Sequence, residues 1–320
     1  MPNLKSYKIV IVLIVCMSST LVFFTILYSQ PPKYPTFLPP NLNTIPSWIK
    51  PVQGNLTEDL KVEDLYISVK TTSKHSHTRL QLIIDTWYQL APNAIHFTTD
   101  SINLQNHVLH IKSTNCHLSH SLKDLLCKLQ AELEGFSPYA NQKKWFCHFD
   151  DDNYVNVFSL LQKLADFDPS QDWYLGKASW TRPYDRVTAR KFLFWSISDP
   201  TIKFWFATGG AGFCLSQPLV IKMMPFMQNE GLVKLGIERE LPDDVLVGYI
   251  IEYLLKVPMT VLPDFHSHLE PQKNVLIDNR TISYSYQLGE DPNILDIPSE
   301  YSDDPTRFKT LHARLFPNAR

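Results

Sequence analysis

Three consecutive carboxylates, Asp150, Asp151 and Asp152 (below, the acidic motif), directly follow an apolar stretch at residues 145–149. A short apolar run that stops at polar residues is typical of a buried strand. Neighbouring negative charges repel one another, and carboxylate oxygens are ligands that Mg²⁺ and Mn²⁺ prefer. Most charge runs are solvated turns, but the preceding strand favours a divalent-cation site at its carboxyl end.

A second acidic pair, Asp243 and Asp244, stands directly before the sequence VLVGYIIEYLLK, which predicts a helix. One of the two aspartates is expected to serve as the N-cap of this helix. The other is then free, and the helix dipole keeps a carboxylate near a helix start ionised. Asp244 is therefore our candidate for a general base that accepts a proton from a hydroxyl group.

Two histidines, His266 and His268, follow a short predicted strand at residues 257–262. Alternate residues of an extended segment point to opposite sides, so we expect one of the two to face the site. Imidazole suits Mn²⁺ better than Mg²⁺. Histidines more often have core or surface roles, but a metal bound by the acidic motif needs further ligands.

A glycine-rich segment, Thr208-Gly209-Gly210-Ala211-Gly212, holds three of the chain's ten glycines within four residues. Glycines let the backbone approach a ligand closely or form turns that other residues do not allow. The segment matches neither a phosphate-binding loop nor a dinucleotide fingerprint. Two interpretations remain open, the wall of a substrate pocket and a tight turn packed in the core.

The elements that must position these residues alternate between strands and helices, which predicts an α/β fold with a mostly parallel sheet covered on both faces. Strands are predicted at residues 65–69, 95–98, 108–111, 145–149, 172–176 and 257–262. Helices are predicted at residues 79–90, 121–134, 157–167 and 245–256.

Composition bounds the class of protein. The chain has 320 residues and a formal net charge of −2, which supports a sizeable core and gives no general attraction to nucleic acid. Residues 9–28 carry no charge and are long enough to span a bilayer, and Lys5 and Lys8 precede them. This pattern predicts a type II signal-anchor with residues 1–8 in the cytoplasm, since a cleaved signal peptide has a shorter core.

Residues 29–60 contain seven prolines, which prevent regular helix and sheet, so an extended stem is expected before a lumenal domain at residues 61–320. Asn55 and Asn279 begin glycosylation sequons, which fit a lumenal address.

Four of the five cysteines, Cys116, Cys127, Cys147 and Cys214, lie in the expected lumenal part, and Cys16 lies in the expected anchor. Four cysteines in an oxidising compartment suggest two disulfides, and three pairings are possible. Local spacing favours Cys116–Cys127, which leaves Cys147–Cys214. Buried free thiols are the alternative.

Together these segments resemble the Fringe glycosyltransferases, β-1,3-N-acetylglucosaminyltransferases that act on O-linked fucose. Five blocks occur in the family's order and cover nearly all of residues 61–317. The blocks are VKTT with the following Arg79, WFCHFDDDNYVN, FWFATGGAGFCLS, LPDD with GYIIE, and FHSHLE.

The resemblance implies a GT-A (Rossmann-like) fold, an inverting Mn²⁺-dependent reaction, UDP-GlcNAc as the donor and fucose on EGF-like repeats of Notch-type receptors as the acceptor. By position, Asp152 and His268 correspond to Mn²⁺ ligands. Asp150, Asp151 and Arg79 correspond to donor contacts, and Asp244 to the catalytic base. The anchor and stem are similar to those of Golgi glycosyltransferases, so a Golgi membrane location is expected.

The sequence departs from the family pattern at two cysteine positions, where it has Val245 and Ala313, and the chain stops at Arg320. A third family disulfide is therefore not expected here. Three other functions compete with this interpretation: a sister β-1,3-glycosyltransferase that uses UDP-galactose or UDP-glucose, an inactive lectin-like homologue, and a metal phosphohydrolase. Retention of Asp152, Asp244 and His268 favours a transferase.

Overall fold

The computed structural model describes residues 8–10, 27–29, 60–100, 109–185 and 202–318. The chain divides into two units, Met1–Leu38 and Pro39–Arg320. In the first unit, strands β1 (Lys8–Val10) and β2 (Leu27–Ser29) pair antiparallel. Within the described ranges, the helices all lack the combined length and apolarity that a bilayer crossing requires. Residues 11–26 of the expected anchor and 30–59 of the stem lie outside these ranges, so both stay predictions.

The second unit is built on a mixed sheet of seven strands in the order β10-β8-β9-β6-β3-β4-β5. Four of its six strand pairs are parallel, and β9 runs antiparallel to both neighbours. This confirms the predicted α/β class with a mostly parallel sheet. The strands are β3 (Leu65–Lys70), β4 (Ile95–Thr99), β5 (His110–Ser113), β6 (Trp145–Asp150), β8 (Tyr174–Gly176), β9 (Phe213–Ser216) and β10 (Met259–Val261).

A separate two-stranded ribbon pairs β7 (Asn153–Val155) with β11 (Ser283–Ser285). The α-helices of the described residues are α1 (Gln81–Asp85), α2 (Leu122–Phe136), α3 (Val157–Leu164), α4 (Gln217–Met227), α5 (Gly231–Arg239), α6 (Asp243–Gly248) and α7 (Phe308–Leu315). Shorter helical turns accompany them at Val62–Asp64, Ser73–His75, Ser76–Leu80, Trp87–Leu90, Ser137–Tyr139, Gly209–Ala211, Gln228–Glu230, Tyr249–Leu254 and Gln272–Asn274.

The central strands β3 and β6 place the candidate site. All but the last residue of each strand is buried, as the near-continuous apolar sequences predict. Their parallel register sets Lys70 beside Asp150 at the carboxyl end of both strands. An ammonium group therefore lies beside a carboxylate at the edge where both strands leave the core.

Two helices begin with side-chain caps that the sequence supplies. Ser121 Oγ accepts the N–H of Asp124 at the start of α2, and Asn156 Oδ1 accepts the N–H of Ser159 at the start of α3. Such caps satisfy backbone donors that have no partner inside the helix. Helix α3 begins immediately after β7, so its cap also fixes the chain that leaves the acidic motif.

Several predicted elements differ from the observed ones. The helix expected at residues 79–90 is broken at Thr86, whose φ of −124° and ψ of −110° are not helical. The helix expected at 245–256 begins at Asp243 and changes to a wider helical turn at Tyr249. Strand β9 and helices α4, α5 and α7 were not predicted, and Val108 of the third predicted strand lies outside the described residues.

Both predicted disulfides, Cys116–Cys127 and Cys147–Cys214, are present. The second joins two residues that face each other across β6 and β9. It therefore links the strand that carries the acidic motif to the strand that follows the glycine-rich segment. Val245 is buried in α6 and Ala313 lies in α7.

Candidate active site

The acidic motif forms a turn between β6 and β7. Asp150 ends β6 and Asn153 begins β7. The Asn153 side chain accepts the N–H of Asp150 at 3.0 Å and donates to the carbonyl oxygen of Gly210 at 2.8 Å. This one amide fixes the turn and ties it to the glycine-rich segment, so the backbone of the motif is held from two sides.

Two basic side chains supply part of the counter-charge that the acidic motif needs. Lys70 Nζ lies 3.0 Å from Asp150 Oδ1. Arg79 Nη1 donates to Asp151 Oδ1 at 2.7 Å and lies 3.4 Å from Asp152 Oδ2. Lys70 and Arg79 therefore neutralise part of the negative charge of the acidic motif, and a cation at the site predicted from the sequence would neutralise the rest.

Of the three aspartates, Asp152 lies farthest from its basic partner, at 3.4 Å from Arg79 Nη1. Burial and the charge of Asp150 raise the pKa of Asp152 to about 7, against the opposing effect of Arg79. Its Oδ1 atom is buried and has no hydrogen-bond partner. A further cation would stabilise the ionised form of this carboxylate, because its negative charge is not fully balanced by neighbouring groups.

The two histidines face different ways, as the alternation of an extended segment predicts. His266 Nδ1 lies 3.2 Å from Glu270 Oε2, and Lys177 Nζ lies 2.7 Å from the same oxygen. His268 instead lies against the glycine-rich segment, and its buried Nδ1 has no hydrogen-bond partner. Burial lowers the pKa of His268, so its ring is neutral and has a lone pair for a ligand.

The glycine-rich segment begins with a tight turn over Gly209–Ala211, as the turn interpretation predicts, and the pocket-wall interpretation stays a prediction. A Cβ on Gly209 would lie 3.5 Å from Asp244 Cβ, and one on Gly210 would lie 3.3 Å from His268 Cε1. Gly212 has φ +87° and packs on the ring of Phe149. The first two glycines thus lie against candidate site residues, and the third makes a core turn.

Asp243 and Asp244 lie in the first turn of α6, and neither is the N-cap. Pro242 occupies the cap position without a side-chain bond, so the expected capping role was wrong. Asp243 Oδ2 instead accepts from Lys70 Nζ at 2.7 Å, and Asp244 Oδ2 accepts the N–H of Gly209 at 3.2 Å. Burial and the charge of Asp243 raise the pKa of Asp244 to about 7.

The residues that could hold a metal ion are connected through one contact path. Asn153, next to Asp152, binds the carbonyl of Gly210, and Gly210 packs on the ring of His268. Asp152 Oδ1 and His268 Nδ1 have no hydrogen-bond partner, and carboxylate oxygen and imidazole nitrogen are both donor types that bind divalent metal ions. Within the described ranges, His, Cys, Asp and Glu form no group of three or more that could complete a metal site by themselves. Donor oxygens from a substrate would have to supply the rest.

Arg79 also borders a cavity of about 500 Å³. Its guanidinium carbon lies 5.9 Å from the ring centroid of Tyr286, which lines the same cavity. Arg79 is about one-third exposed, so it faces both the carboxylates and open space. This position is compatible with the donor contact that the sequence predicted, which stays a prediction.

Sequence reasoning missed four residues that shape the site, Lys70, Glu132, His148 and Asn153. Lys70 had a usable signal, because Lys70 and Asp150 each directly follow a predicted strand, at residues 65–69 and 145–149. Glu132 had none, since it is a fully buried carboxylate on a helix that was assigned an apolar face from its leucines. Asn279, at the second sequon, is exposed as glycosylation would require, and Asn55 lies outside the described residues.

Comparison with known proteins identifies the family of the chain. The profile of the Fringe-like family matches residues 60–319. A Fringe glycosyltransferase of Drosophila melanogaster is 44% identical over 267 residues, covering 80% of this chain and 63% of the relative. The radical fringe β-1,3-N-acetylglucosaminyltransferase of Notophthalmus viridescens is 41% identical over 270 residues, covering 81% and 66%.

The lunatic fringe β-1,3-N-acetylglucosaminyltransferase of Homo sapiens is 37% identical over 282 residues, covering 84% of this chain and 72% of the relative. The matched part of the chain thus spans a little under two thirds of the fly and newt proteins and more of the human one. From the extent of the family match and these identities, the chain belongs to the Fringe family.

Proposed function

We propose that this protein is a Mn²⁺-dependent β-1,3-N-acetylglucosaminyltransferase with a GT-A catalytic domain. It transfers GlcNAc from UDP-GlcNAc to O-linked fucose on EGF-like repeats, with Notch-type receptors as partners. The observation that carries the proposal is that Asp244 and His268 pack against adjacent glycines, Gly209 and Gly210. The candidate base and a candidate metal ligand thus share one wall of the site.

The donor arm of the site is the acidic motif with His268. Asp152 and His268 would hold Mn²⁺ through the two atoms that have no hydrogen-bond partner. When bound, the ion would act as a Lewis acid that stabilises the negative charge of the departing UDP. Arg79 keeps Asp151 in place through its 2.7 Å bond and exposes part of its planar guanidinium for a nucleotide or phosphate.

The base arm of the site is Asp244. The 3-hydroxyl oxygen of fucose attacks the anomeric carbon of GlcNAc while the bond from that carbon to UDP breaks, and Asp244 takes the hydroxyl proton. One displacement of this kind inverts the anomeric centre and needs no nucleophile from the protein. A pKa of about 7 suits this role, because a base works best when its pKa lies near the working pH.

The proposed cellular setting is supported by the first 60 residues and by the disulfides. We propose a single-pass type II protein of the Golgi membrane, with residues 9–28 as the anchor and the catalytic domain in the lumen. The uncharged run of residues 9–28, the proline-rich stem and the two disulfides support this setting, since disulfides persist in oxidising compartments.

A transfer assay tests the proposal. The lumenal domain is incubated with Mn²⁺, UDP-GlcNAc and an O-fucosylated EGF-like module, and both UDP release and the mass of the module are measured. We expect one added N-acetylhexosamine on the fucosylated module and none on the unfucosylated one. Preferred use of UDP-galactose or UDP-glucose in a donor competition would replace the donor assignment, and binding without transfer would indicate a lectin-like protein.

A further inference from the structure

Lys70 lies between the two arms of the candidate site. It ends β3 beside Asp150, and its Nζ atom lies 3.0 Å from Asp150 Oδ1 and 2.7 Å from Asp243 Oδ2. Lys70 and Asp243 are 173 positions apart in the chain. One ammonium group therefore joins the acidic motif to the helix that carries Asp244.

This ammonium group is largely removed from solvent, with 12% of its side chain exposed. Burial would lower the pKa of Lys70, but the charges of Asp150 and Asp243 raise it well above its ordinary value. The group therefore stays charged and holds both carboxylates. Separating this buried ion pair would leave charges without compensation, so the Lys70 bridge favours one spacing of Asp150 and Asp243.

A second buried pair approaches Asp150 from the other side. His148 Nε2 lies 3.6 Å from Asp150 Oδ1, and His148 Nδ1 lies 2.9 Å from Oε1 of the fully buried Glu132. Ser68 Oγ donates to the same Glu132 oxygen at 2.9 Å. Burial would lower the pKa of His148, but Glu132 and Asp150 raise it to about 9, so both ring nitrogens carry protons.

These contacts form a chain of alternating charge that runs from Glu132 through His148, Asp150 and Lys70 to Asp243. This series of charged residues also contacts the candidate base, Asp244, through the backbone of Gly209. A Cβ on Gly209 would lie 3.6 Å from His148 Nε2, and the N–H of Gly209 binds Asp244. We propose that Lys70 is a positioning residue, and that with the Glu132–His148 pair behind Asp150 it fixes the separation between the donor arm and the base arm.

The inference rests on the proposed function, because the two arms matter only if both act on one transfer. Reacting groups must be held within a fraction of an ångström, and a misplacement of about 1 Å costs about 100-fold in rate. Loss of the Lys70 bridge should therefore leave the donor arm able to bind UDP while the base arm loses its alignment. A residue that only stabilises the fold would lower the amount of working protein and leave each working site unchanged.

Asp243→Asn is the main test, since it weakens the bridge at the base arm and leaves Lys70 paired with Asp150. UDP is titrated calorimetrically with Mn²⁺ present, which gives both its affinity and the number of binding sites. GlcNAc transfer to the fucosylated module is then expressed per UDP-binding site. We expect UDP affinity within about threefold of wild type and transfer per site reduced about tenfold or more.

Lys70→Met and Lys70→Arg extend the test. Lys70→Met should show the same loss per site, and Lys70→Arg should recover part of it because it retains the charge. Lys144→Met is the matched control, since Lys144 forms a 3.2 Å ion pair with Asp64 just before the opposite end of β6. We expect its transfer per site to equal that of wild type. If Lys70→Met does not fold, the transfer per site of Asp243→Asn still tests the positioning role of Lys70.

Transfer per site that is unchanged in Asp243→Asn would overturn the inference and leave the proposed function intact. Loss of UDP binding in this variant would also overturn it, because Asp243 would then act on the donor arm itself. A wild-type protein that binds UDP but transfers no GlcNAc would instead overturn the proposed function.

Discussion

The backbone N–H of Gly209 donates a 3.2 Å hydrogen bond to Oδ2 of Asp244. This bond favours the ionised carboxylate, whereas burial and the neighbouring charge of Asp243 favour the protonated one. The balance raises the pKa of Asp244 to about 7. The side chain is therefore neither fixed as an acid nor fully ionised at neutral pH, and the glycine turn that lies against it also lies against His268.

The first prediction concerns the pH dependence of transfer. Asp244 accepts a proton only when it is ionised, so kcat should be low at acidic pH and rise as the pH passes through about 7. The rate is measured at saturating Mn²⁺ and UDP-GlcNAc, because the pKa of Asp152 is also about 7 before a metal binds. A profile that stays flat between about pH 6 and pH 8 would remove Asp244 from this role.

The second prediction concerns replacement of the base. Asp244→Asn removes the proton acceptor and little volume, so we expect transfer to fall by about 10²–10⁴-fold. Affinity for UDP with Mn²⁺ should be retained, because the proposed donor contacts lie on the acidic motif. Isothermal titration and the transfer assay measure the two quantities separately, and full transfer in this variant would contradict the assignment.

The third prediction concerns stability and has opposite signs for the two neighbouring aspartates. In the unfolded chain Asp244 ionises near pH 4, whereas in the folded protein its pKa is raised to about 7. The free energy of unfolding therefore decreases as the pH rises from about 4 to about 7, and the full loss remains above pH 7. Asp244→Asn should therefore increase the free energy of unfolding at pH 8 by roughly 1–4 kcal/mol, with a smaller gain at pH 4. Asp243→Asn breaks an ion pair with Lys70 and should decrease it.

Urea unfolding of the three proteins at both pH values provides the comparison. An Asp244→Asn variant that is less stable than wild type at pH 8 would mean that the carboxylate is better compensated than its surroundings indicate.

Part of this site could be predicted from the sequence, because the signals were local. Asp150–Asp152 follow an apolar strand, and the alternation of residues 266–268 predicted that His266 and His268 face different ways, as their contacts with Glu270 and Gly210 show. Strand β9 could not be predicted, since its four residues run directly into α4 without a turn signal and their pairing with β6 depends on the distant partner Cys147. The charge chain through Lys70 and His148 was missed because three of its four links, Glu132–His148, Asp150–Lys70 and Lys70–Asp243, join residues that are not neighbours in sequence.

The fourth prediction concerns the metal ligands. His268→Ala should weaken Mn²⁺-dependent UDP binding by at least the ~10–100-fold that loss of an outer-shell partner causes. Asp152→Asn should do the same, and the double variant should be little worse than either single one, since both act on one ion. His266→Ala is the matched control, because His266 pairs with Glu270 and should not alter the binding.

A Mn²⁺ titration monitored by electron paramagnetic resonance, with UDP present, measures the affinity for the metal directly. Equal affinity in wild type and His268→Ala would exclude His268 from the metal site, whatever its effect on transfer.

The fifth prediction separates the two roles of the glycine-rich segment. A Cβ at Gly212 would meet Phe149 Cδ1 at 2.3 Å and the backbone oxygen of His148 at 2.8 Å, at a φ of +87°. Gly212→Ala should therefore decrease the free energy of unfolding by roughly 2–5 kcal/mol, from backbone strain and overlap together.

A Cβ at Gly210 would instead lie 3.3 Å from His268 Cε1 and 3.5 Å from its Nδ1. The ring can yield by a few tenths of an ångström, so Gly210→Ala should keep nearly the stability of wild type. The displaced imidazole should still weaken Mn²⁺-dependent UDP binding several-fold, because metal–ligand distances are fixed within about 0.2 Å. Thermal unfolding and UDP titration of both variants check this, and a Gly210→Ala protein with wild-type UDP affinity would show that the segment does not position His268.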